Sequence, residues 1–196
     1  AWPHWINGET GKVTPFGKKD NGGDLVETAF LVQGIICVRE YFKDGNEEEK
    51  ALAAKMDKLW KGVEWNWYTK GDEKVLYWHW SPTYGWEMNF PLQGYNECLI
   101  TYVLAASSPD YSIDSETYNK GWTRNGTYTT DKTKYGLPLY VKHNYAEEFG
   151  GPLFWSQYSY LGLDPRGLSD QYVKNYWDLN RNHVLIDYRS EEHTSE

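Results

Sequence analysis

Three carboxylates stand close together near the beginning of the sequence. Asp20 precedes a pair of glycines, and Asp24 and Glu27 follow that pair. If a helix begins near Asp24, then Asp24 and Glu27 share one face of it and Asp20 lies on the loop just before it. Free backbone N–H groups and the helix dipole favour ionised carboxylates there, which suits a general base or an acceptor for hydroxyl groups. The alternative is a capping box, in which Asp24 and Glu27 only close the start of the helix.

A fourth acid, Glu97, follows Gly94, Tyr95 and Asn96 and comes soon after a tryptophan-rich loop at residues 78–86. Aromatic neighbours that remove water from a carboxyl group raise its pKa and keep it protonated, so that it can act as a general acid. Paired with a carboxylate base, such an acid hydrolyses glycosidic bonds. The alternative for Glu97 is a solvated acid in the first turn of a helix.

The chain is rich in aromatic residues, with 11 Trp, 17 Tyr and 6 Phe. A core of this size does not easily hide so many rings beside its aliphatic side chains, so some of them must line a surface. Aromatic faces stack on the C–H faces of sugar rings, whereas ordinary packing is the alternative for each ring taken singly. The candidate stacking residues are Trp65, Trp80, Trp86, Tyr95 and Tyr158, and the candidate polar contacts are Gln157 and Arg166.

Elements that must position these residues are visible in the hydrophobic pattern. Apolar residues recur at helical spacing over residues 24–42 and again over about 48–61, where Gly62 follows as a stop signal. Both segments are predicted helices, and the short turn between them makes them antiparallel neighbours. The period then changes to two over residues 63–80, which predicts a β-hairpin.

The second half of the sequence contains more loops. Helices are predicted over about residues 95–106 and 115–120, a hairpin over about 128–141, and a last helix from Ser169. No internal repeat, linker or shift of composition marks a boundary before residue 189. We therefore predict that residues 1–188 belong to one domain.

Charge and hydropathy exclude two classes of partner. The formal net charge is -8, which makes a polyphosphate backbone a poor partner because nucleic-acid affinity needs clustered Lys and Arg. No apolar run approaches the roughly 18 to 20 residues that cross a bilayer. Neither a nucleic-acid partner nor a membrane span is expected from this sequence.

Metal ions and cofactors find no support in the spacing of ligand residues. The five histidines form no pair at helical spacing, and residues 20–31 lack the ligands that a calcium loop needs at its third and twelfth positions. We expect no metal and no cofactor. Cys37 and Cys98 both lie in apolar runs and are predicted to be buried free thiols.

Both ends of the sequence differ from what a complete protein shows. The N-terminus has neither a start methionine nor a signal-peptide pattern, so we expect the natural start to lie upstream. Residues 189–196 break from the aromatic-rich chain and resemble translated sequencing-adapter DNA. We predict that they are a non-native tail.

Several separated motifs resemble one family. They are residues 20–31 (DNGGDLVETAFL), 78–82 (WHWSP), 94–97 (GYNE) and 162–167 (GLDPRG). In this order they resemble the glycoamylase-like proteins, closest to the endo-β-1,2-glucanases of glycoside hydrolase family 144, over about residues 1 to 188. The resemblance implies an (α/α)6 barrel, an inverting mechanism, a secreted or periplasmic location, and functional acids at Asp20, Asp24, Glu27 and Glu97.

These observations predict an all-α chain with β-hairpin insertions that forms part of an (α/α)6 barrel, since such a barrel needs twelve helices. The expected function is endo-acting, inverting hydrolysis of β-1,2-glucan. Glu97 would be the general acid, Asp20 would serve the base side, and Asp24 and Glu27 would hold sugar hydroxyls. The alternatives are transglycosylation on the same glucan, action on starch-type α-glucans, and a non-catalytic glycan-binding protein.

Overall fold

A computed structural model describes residues 1–144 and 151–194 of the chain, with side chains as far as residue 191. The chain divides into two compact units, which are formed by Ala1–Leu92 with Ile100–Gly121 and by Gln93–Leu99 with Trp122–Glu196. In the described part, helices dominate and three small two-stranded antiparallel sheets accompany them. The prediction of a mostly helical chain with small β insertions is therefore confirmed.

The first unit contains two of the small sheets and the first two long helices. Strands β1 (Trp5–Ile6) and β2 (Val13–Thr14) form a hairpin, and strand β3 (Gly23–Asp24) leads directly into helix α1 (Leu25–Phe42). Helix α2 (Glu47–Lys61) packs against α1. Strand β4 (His79–Trp80) pairs with β3. Both predicted helices of this unit are confirmed almost to the residue.

Capping explains why α1 and α2 begin and end where they do. Oδ1 of Asp24 accepts hydrogen bonds from the backbone N–H groups of Val26 and Glu27, so Asp24 is the N-cap of α1. Asn46 and Glu49 form a complete capping box at the start of α2, and Gly62 closes its end. These polar side chains satisfy N–H groups that lack partners within the helix.

The predicted β-hairpin over residues 63–80 is wrong. Residues Trp65–Thr69 form a 3₁₀ helix, and only His79–Trp80 of this segment is a strand. Trp65 and Tyr68 are both buried whereas Trp67 is exposed. Residues three apart share a face of a 3₁₀ helix, so Trp65 and Tyr68 both face the core while Trp67 lies on another face.

Tyr102 anchors the loop that follows. Helix α3 (Leu99–Ser107) carries it, and the phenol is fully buried. Its hydroxyl accepts from the N–H of Leu76 at 3.0 Å and donates to the carbonyl of Leu92 at 2.9 Å. Segment 76–92, which contains β4, is thus held at both ends.

Helix α3 begins later than predicted, at Leu99 instead of about residue 95. The side chain of Asn96 accepts from the N–H of Cys98, which makes a turn before the helix, and Gly94 has a positive φ of 75°. The short predicted helix at 115–120 corresponds to a π-helical segment, Thr117–Trp122.

In the second unit, strands β5 (Thr133–Lys134) and β6 (Leu137–Pro138) form a hairpin inside the predicted range of 128–141. A short helix α4 (Phe154–Gln157) and a 3₁₀ turn (Tyr158–Leu161) were not predicted. They are too short to show a periodic pattern.

The last helix, α5 (Tyr176–Thr194), begins seven residues after the predicted start. Oδ1 of Asp170 accepts from the N–H groups of Tyr172 and Val173. These bonds close a turn where the first turn of the helix was expected, so the helix starts later. Helix α5 runs on through residues 189–194, and the idea that these residues are non-native stays a prediction.

Two further expectations from the sequence concern the two cysteines and a membrane-spanning helix. Cys98 is buried as expected, but Cys37 is exposed on α1, because the buried residues of this helix all lie between Leu25 and Gln33 and Cys37 comes one turn beyond them. Among the described helices, none combines the length and the apolar character that crossing a membrane requires.

Candidate active site

Strand pairing brings a histidine to the acidic cluster in the first unit. In the antiparallel β3–β4 pair, Asp24 lies opposite His79, and Gly23 lies opposite Trp80. A Cβ atom at Gly22 would collide with the backbone carbonyl of Trp80, and one at Gly23 would collide with the hydroxyl of Tyr68. The two glycines therefore let the strands and Tyr68 approach closely, which explains the sequence between Asp20 and Asp24.

Two imidazoles and three carboxylates meet at this point. Nε2 of His79 lies 3.2 Å from Oδ2 of Asp20 and 3.4 Å from Oδ2 of Asp24. Nδ1 of His4 lies 3.1 Å from the same oxygen of Asp24 and 3.8 Å from that of Asp20, and its Nε2 is 4.0 Å from Oε1 of Glu27. The structure thus brings together three of the predicted acids and adds two histidines. We call these five residues the acid–histidine cluster.

Burial controls the ionisation of the acids in the cluster. Asp20 is only 5% exposed, and loss of solvent raises its pKa, an effect that His79 opposes and the charge of Asp24 reinforces. Burial also raises the pKa of Glu27, with Asp24 as the next cause. A carboxylate whose pKa is raised is a stronger base when ionised, so Asp20 and Glu27 suit proton transfer.

The two aspartates have different local roles. Asp24 is fully buried, its Oδ1 caps α1, and its Oδ2 faces both histidines, so both oxygens are engaged within the protein. Asp20 lies on the loop before β3 and lines a pocket of about 720 Å³. Asp20 is therefore the aspartate of the cluster placed to meet a ligand.

The pocket beside Asp20 has a largely aromatic wall. Phe16, Trp78 and Phe90 line it together with the imidazoles of His4 and His79. The ring of His4 stacks on Phe16 with centroids 4.2 Å apart, and that of His79 stacks on Trp78 at 5.6 Å. Apolar walls with a few convergent polar groups are typical of sites for small organic ligands, and aromatic faces suit sugar rings.

A cation would find one set of ligands here. Single ligand atoms of His4, Asp20 and Asp24 lie within 4.8 Å of one another. However, the distances of 3.1 Å from His4 to Asp24 and 3.2 Å from His79 to Asp20 are those of hydrogen bonds, so each histidine has a carboxylate partner. We interpret the cluster as a hydrogen-bonded network.

Residues 89–194 match the Glycoamylase family model. The match covers more than half of the chain and includes Glu97. The chain belongs to the glycoamylase family.

Two solved structures similar to this glycoamylase-family chain are β-1,2-glucanases. An endo-β-1,2-glucanase from Chitinophaga pinensis, solved with sophorotriose and glucose, is 62% identical with a TM-score of 0.93, over 96% of this chain and 45% of that one. A β-1,2-glucanase structure from Parabacteroides distasonis is 44% identical with a TM-score of 0.87, over 95% and 29%.

A curated relative agrees with these structures. The exo β-1,2-glucooligosaccharide sophorohydrolase (non-reducing end) of Parabacteroides distasonis is 45% identical over 204 residues, which cover 96% of this chain and 28% of the relative. The family resemblance read from the motifs is therefore confirmed. The glycoamylase-family chain spans less than half the length of each of these relatives.

Glu97, the predicted general acid, belongs to the second unit. It is partly exposed in the turn that precedes α3, and its backbone carbonyl accepts a hydrogen bond from the hydroxyl of Ser159 at 2.9 Å. The 3₁₀ turn Tyr158–Leu161 thus supports the backbone of Glu97. Its catalytic role stays a prediction.

The predicted substrate contacts of the second unit differ in exposure. Tyr95 is fully buried, burial raises its pKa, and its hydroxyl lies 2.7 Å from that of Tyr160. Gln157 donates to Asn180 at 3.0 Å, and Arg166 is exposed with a forked ion pair to Asp164. The ring of Tyr158 is 45% exposed. Burial argues against Tyr95 as a stacking residue, whereas Tyr158 has a ring open to a ligand.

Predicted tryptophans of the first unit also separate by burial. Trp65 has no exposed surface, so it cannot stack on a sugar without rearrangement of the core. Trp80 and Trp86 are partly exposed and flank Trp67, whose ring lies 6.4 and 6.3 Å from theirs. Trp67 is 54% exposed and lines a second pocket of about 350 Å³ with Trp80. Sequence reasoning missed Trp67, because the predicted strand places it on the same face as Trp65, whereas the 3₁₀ helix places the two rings on different faces.

A buried polar network in the second unit was also missed. The hydroxyl of Ser156 lies 2.5 Å from Nδ1 of His183 and 3.3 Å from Nε2 of His143. Nε2 of His183 lies 2.8 Å from the carbonyl of Gly151 and 3.5 Å from Asp187. Burial lowers the pKa of both histidines and raises that of Asp187. These residues are dispersed in sequence, so no motif indicated their contact.

Proposed function

We propose that this chain is part of a glycoside hydrolase that cleaves β-1,2-glucan, with Asp20 serving the base side of the reaction. The observation that carries the proposal is the position of Asp20, a buried carboxylate with a raised pKa that lines an aromatic-walled pocket. The proposed β-1,2 linkage of the substrate comes from the names of three relatives, which are all β-1,2-glucan or β-1,2-glucooligosaccharide hydrolases.

The proposed reaction is an inverting hydrolysis. Ionised Asp20 takes a proton from water, directly or through a sugar hydroxyl, while the water oxygen attacks the anomeric carbon from the face opposite the leaving group. Glu97 donates a proton to the leaving oxygen, so that one bond to oxygen forms and one breaks without a covalent intermediate. The role of Glu97 follows from its place after an aromatic-rich loop in the sequence and from the family resemblance, which implies a functional acid at this position.

The other cluster members serve Asp20 and the substrate in this proposal. Glu27 is partly exposed and accepts a sugar hydroxyl, whereas Asp24 holds the histidines and the start of α1. Trp78, Phe16 and Phe90 provide the apolar faces on which a glucosyl ring lies. We further propose that the chain contributes part of an (α/α)6 barrel in a secreted or periplasmic protein, in keeping with the resemblance.

The test uses the full-length protein that contains this chain. Purified protein is incubated with β-1,2-glucan, β-1,3-glucan and starch, and new reducing ends are counted while product lengths are resolved by chromatography. The proposal predicts cleavage of β-1,2-glucan alone, and the anomer first released, observed by proton NMR, should be inverted. Preferential cleavage of starch, or products longer than the substrate, would favour an α-glucan hydrolase or a transglycosylase instead.

The product series also separates endo from exo action. A mixture of many lengths early in the reaction supports endo-acting cleavage, as the sequence predicts. Release of sophorose alone from the first minutes would overturn the endo assignment and leave hydrolysis standing.

A further inference from the structure

We propose that His79 is a positioning residue that holds Asp20 in the orientation its reaction requires, with His4 in a lesser role through Asp24. This inference rests on the proposed function of Asp20. It concerns the two residues that neither the sequence motifs nor the names of the relatives assign to a role.

Backbone pairing and a ring contact hold the imidazole of His79 in place independently of the carboxylates. The β3–β4 ladder holds its backbone opposite Asp24, and the N–H of Leu25 donates to the carbonyl of Trp78 at 2.8 Å. Its ring lies almost parallel to the indole of Trp78, with an interplanar angle of 8°. A side chain held in this way by backbone pairing and by a ring contact can orient a neighbour.

The ring nitrogens of His79 have different surroundings. Nε2 lies within 3.4 Å of both Asp20 and Asp24, whereas the buried Nδ1 contacts no hydrogen-bond partner among the described residues. The tautomer with its hydrogen on Nε2 satisfies this arrangement, because that N–H donates to the carboxylates and Nδ1 keeps only a lone pair. One N–H group thus lies between the two aspartates.

Asp20 depends on this N–H more than Asp24 does. Asp24 has two backbone N–H donors at Oδ1 and His4 at Oδ2, so it stays anchored without His79. Within the described part of the chain, the contacts recorded for the carboxylate of Asp20 are those to His79 at 3.2 Å and His4 at 3.8 Å. The shorter contact is the one of hydrogen-bond length, so removal of His79 frees Asp20 to turn.

The same contact bears on the ionisation of Asp20. Burial and Asp24 raise the pKa of Asp20, while His79 and His4 lower it. Glu27 also faces the cluster, from α1, and Lys18 and Lys19 line the pocket. Without His79 the pKa of Asp20 rises further, so the protonated and inactive form persists to higher pH.

The experiment compares three variants of the full-length protein on β-1,2-glucan. His79→Phe keeps a flat ring and removes the donor, His79→Gln restores an N–H donor near the Nε2 position, and His4→Gln is the matched control on the second histidine. We expect His79→Phe to lower kcat by roughly ten- to a hundredfold, the range for losing an orienting partner of a functional side chain, with KM within about threefold. His79→Gln should recover a large part of kcat, and His4→Gln should lose less than His79→Phe.

The pH profile distinguishes positioning from mere structure. In His79→Phe the acid limb of kcat/KM should move to higher pH, whereas a general loss of folded protein lowers the whole profile equally. An unmoved acid limb, or equal kcat in His79→Phe and wild type, overturns the inference. If His79→Phe fails to fold by circular dichroism, His79→Leu takes its place because it also removes the donor, and an unmoved acid limb in that variant overturns the inference.

A second readout does not need activity. Selective ¹³C labelling of aspartate carboxyl groups allows the titration of Asp20 to be followed by NMR in wild type and in His79→Phe. A wild-type protein that cleaves no β-1,2-glucan refutes the proposed function, whereas an Asp20 titration that is the same in both proteins overturns the inference about His79 whether or not the protein is active.

Discussion

His79 lies directly opposite Asp24 in a two-residue antiparallel ladder, and its Nε2 reaches past Asp24 to Asp20. A residue from the tryptophan-rich loop therefore completes a cluster whose acids all come from the beginning of the chain. The pairing also explains why the two glycines between the aspartates matter, since they allow the loop to approach.

The first prediction concerns those glycines. Gly22→Ala places a methyl group against the carbonyl of Trp80 and the ring of Pro82, which cannot move aside cheaply because one of them is backbone. We expect a loss of about 1 to 3 kcal/mol in the free energy of unfolding, the usual cost of overpacking, measured by urea denaturation. Gly17→Ala is the matched control, since nothing lies within 4 Å of its Cβ position. Equal stability of the two variants would contradict the close approach of β3 and β4.

Asp24 is predicted to act in stability as well as in function. Asp24→Ala removes the N-cap of α1 and should lower the free energy of unfolding by about 0.5 to 2 kcal/mol. Asp24→Asn keeps a capping oxygen, so it should lose clearly less stability while still disturbing the histidines. Denaturant titrations of both variants test this, and indistinguishable unfolding curves would mean that the cap is unimportant.

Glu97→Gln is predicted to abolish turnover in the full-length protein. The amide keeps the shape of the side chain but cannot donate a proton to the leaving oxygen, so kcat should fall at least roughly a hundredfold. Binding of β-1,2-glucan, measured by calorimetry, should stay within about tenfold. Glu87→Gln is the control, because Glu87 is exposed and pairs with Lys19 at 3.1 Å. If Glu87→Gln is the inactive variant, then Glu87 is the acid.

Asp20→Asn should resemble Glu97→Gln in its kinetics. It removes the proposed base and leaves α1 capped, so kcat falls at least roughly a hundredfold while the melting temperature stays close to that of wild type. Its pH profile should also lose the acid limb that the raised pKa of Asp20 produces. A variant that keeps this limb with high turnover would refute the role of Asp20.

The buried histidines of the second unit predict a dependence of stability on pH. Burial lowers the pKa of His143 and His183, whose ordinary value is 6.5, so below that pH the unfolded chain binds more protons than the folded one. Their contribution to stability is complete above about pH 6.5 and is lost as the pH falls toward the folded-state pKa values. Burial raises the pKa of Asp187 in the folded state, so Asp187 makes the folded state more stable as the pH falls, which opposes the effect of the two histidines.

His143→Gln isolates this effect. Urea unfolding of wild type and variant at pH 7.5 and 5.5 should show that wild type loses more stability between the two values, by at most about 1.4 kcal/mol per pH unit for one group. A parallel decline in both proteins would mean that His143 is not the group that takes up the proton.

The sequence was informative where a pattern is local. The period of α1 and α2, the capping residues Asp24 and Asn46, and the three acids around α1's start were all visible as spacing along the chain. Capping and amphipathic burial involve neighbours within a few residues, so they leave a readable trace in sequence.

What the sequence did not show depends on contacts between distant segments. His4 and His79 meet the acids only through β-pairing and loop closure, and no spacing rule links residues so far apart. Alternation of aromatics over 63–80 indicated a strand, whereas the burial of Trp65 and Tyr68, which are three residues apart, fits the 3₁₀ helix Trp65–Thr69. The burial of the stacking candidate Trp65 was hidden for the same reason, because ring type does not reveal which face meets solvent.

Exposure of one cysteine and burial of the other make this chain suited to site-specific thiol labelling. Cys37 is exposed in the second half of α1, while Cys98 is enclosed just before α3. A maleimide fluorophore would therefore react at Cys37 and leave Cys98 untouched, without any cysteine substitution. Because the labelled helix begins at the cap of Asp24, the dye would report unfolding of the element that carries the acids.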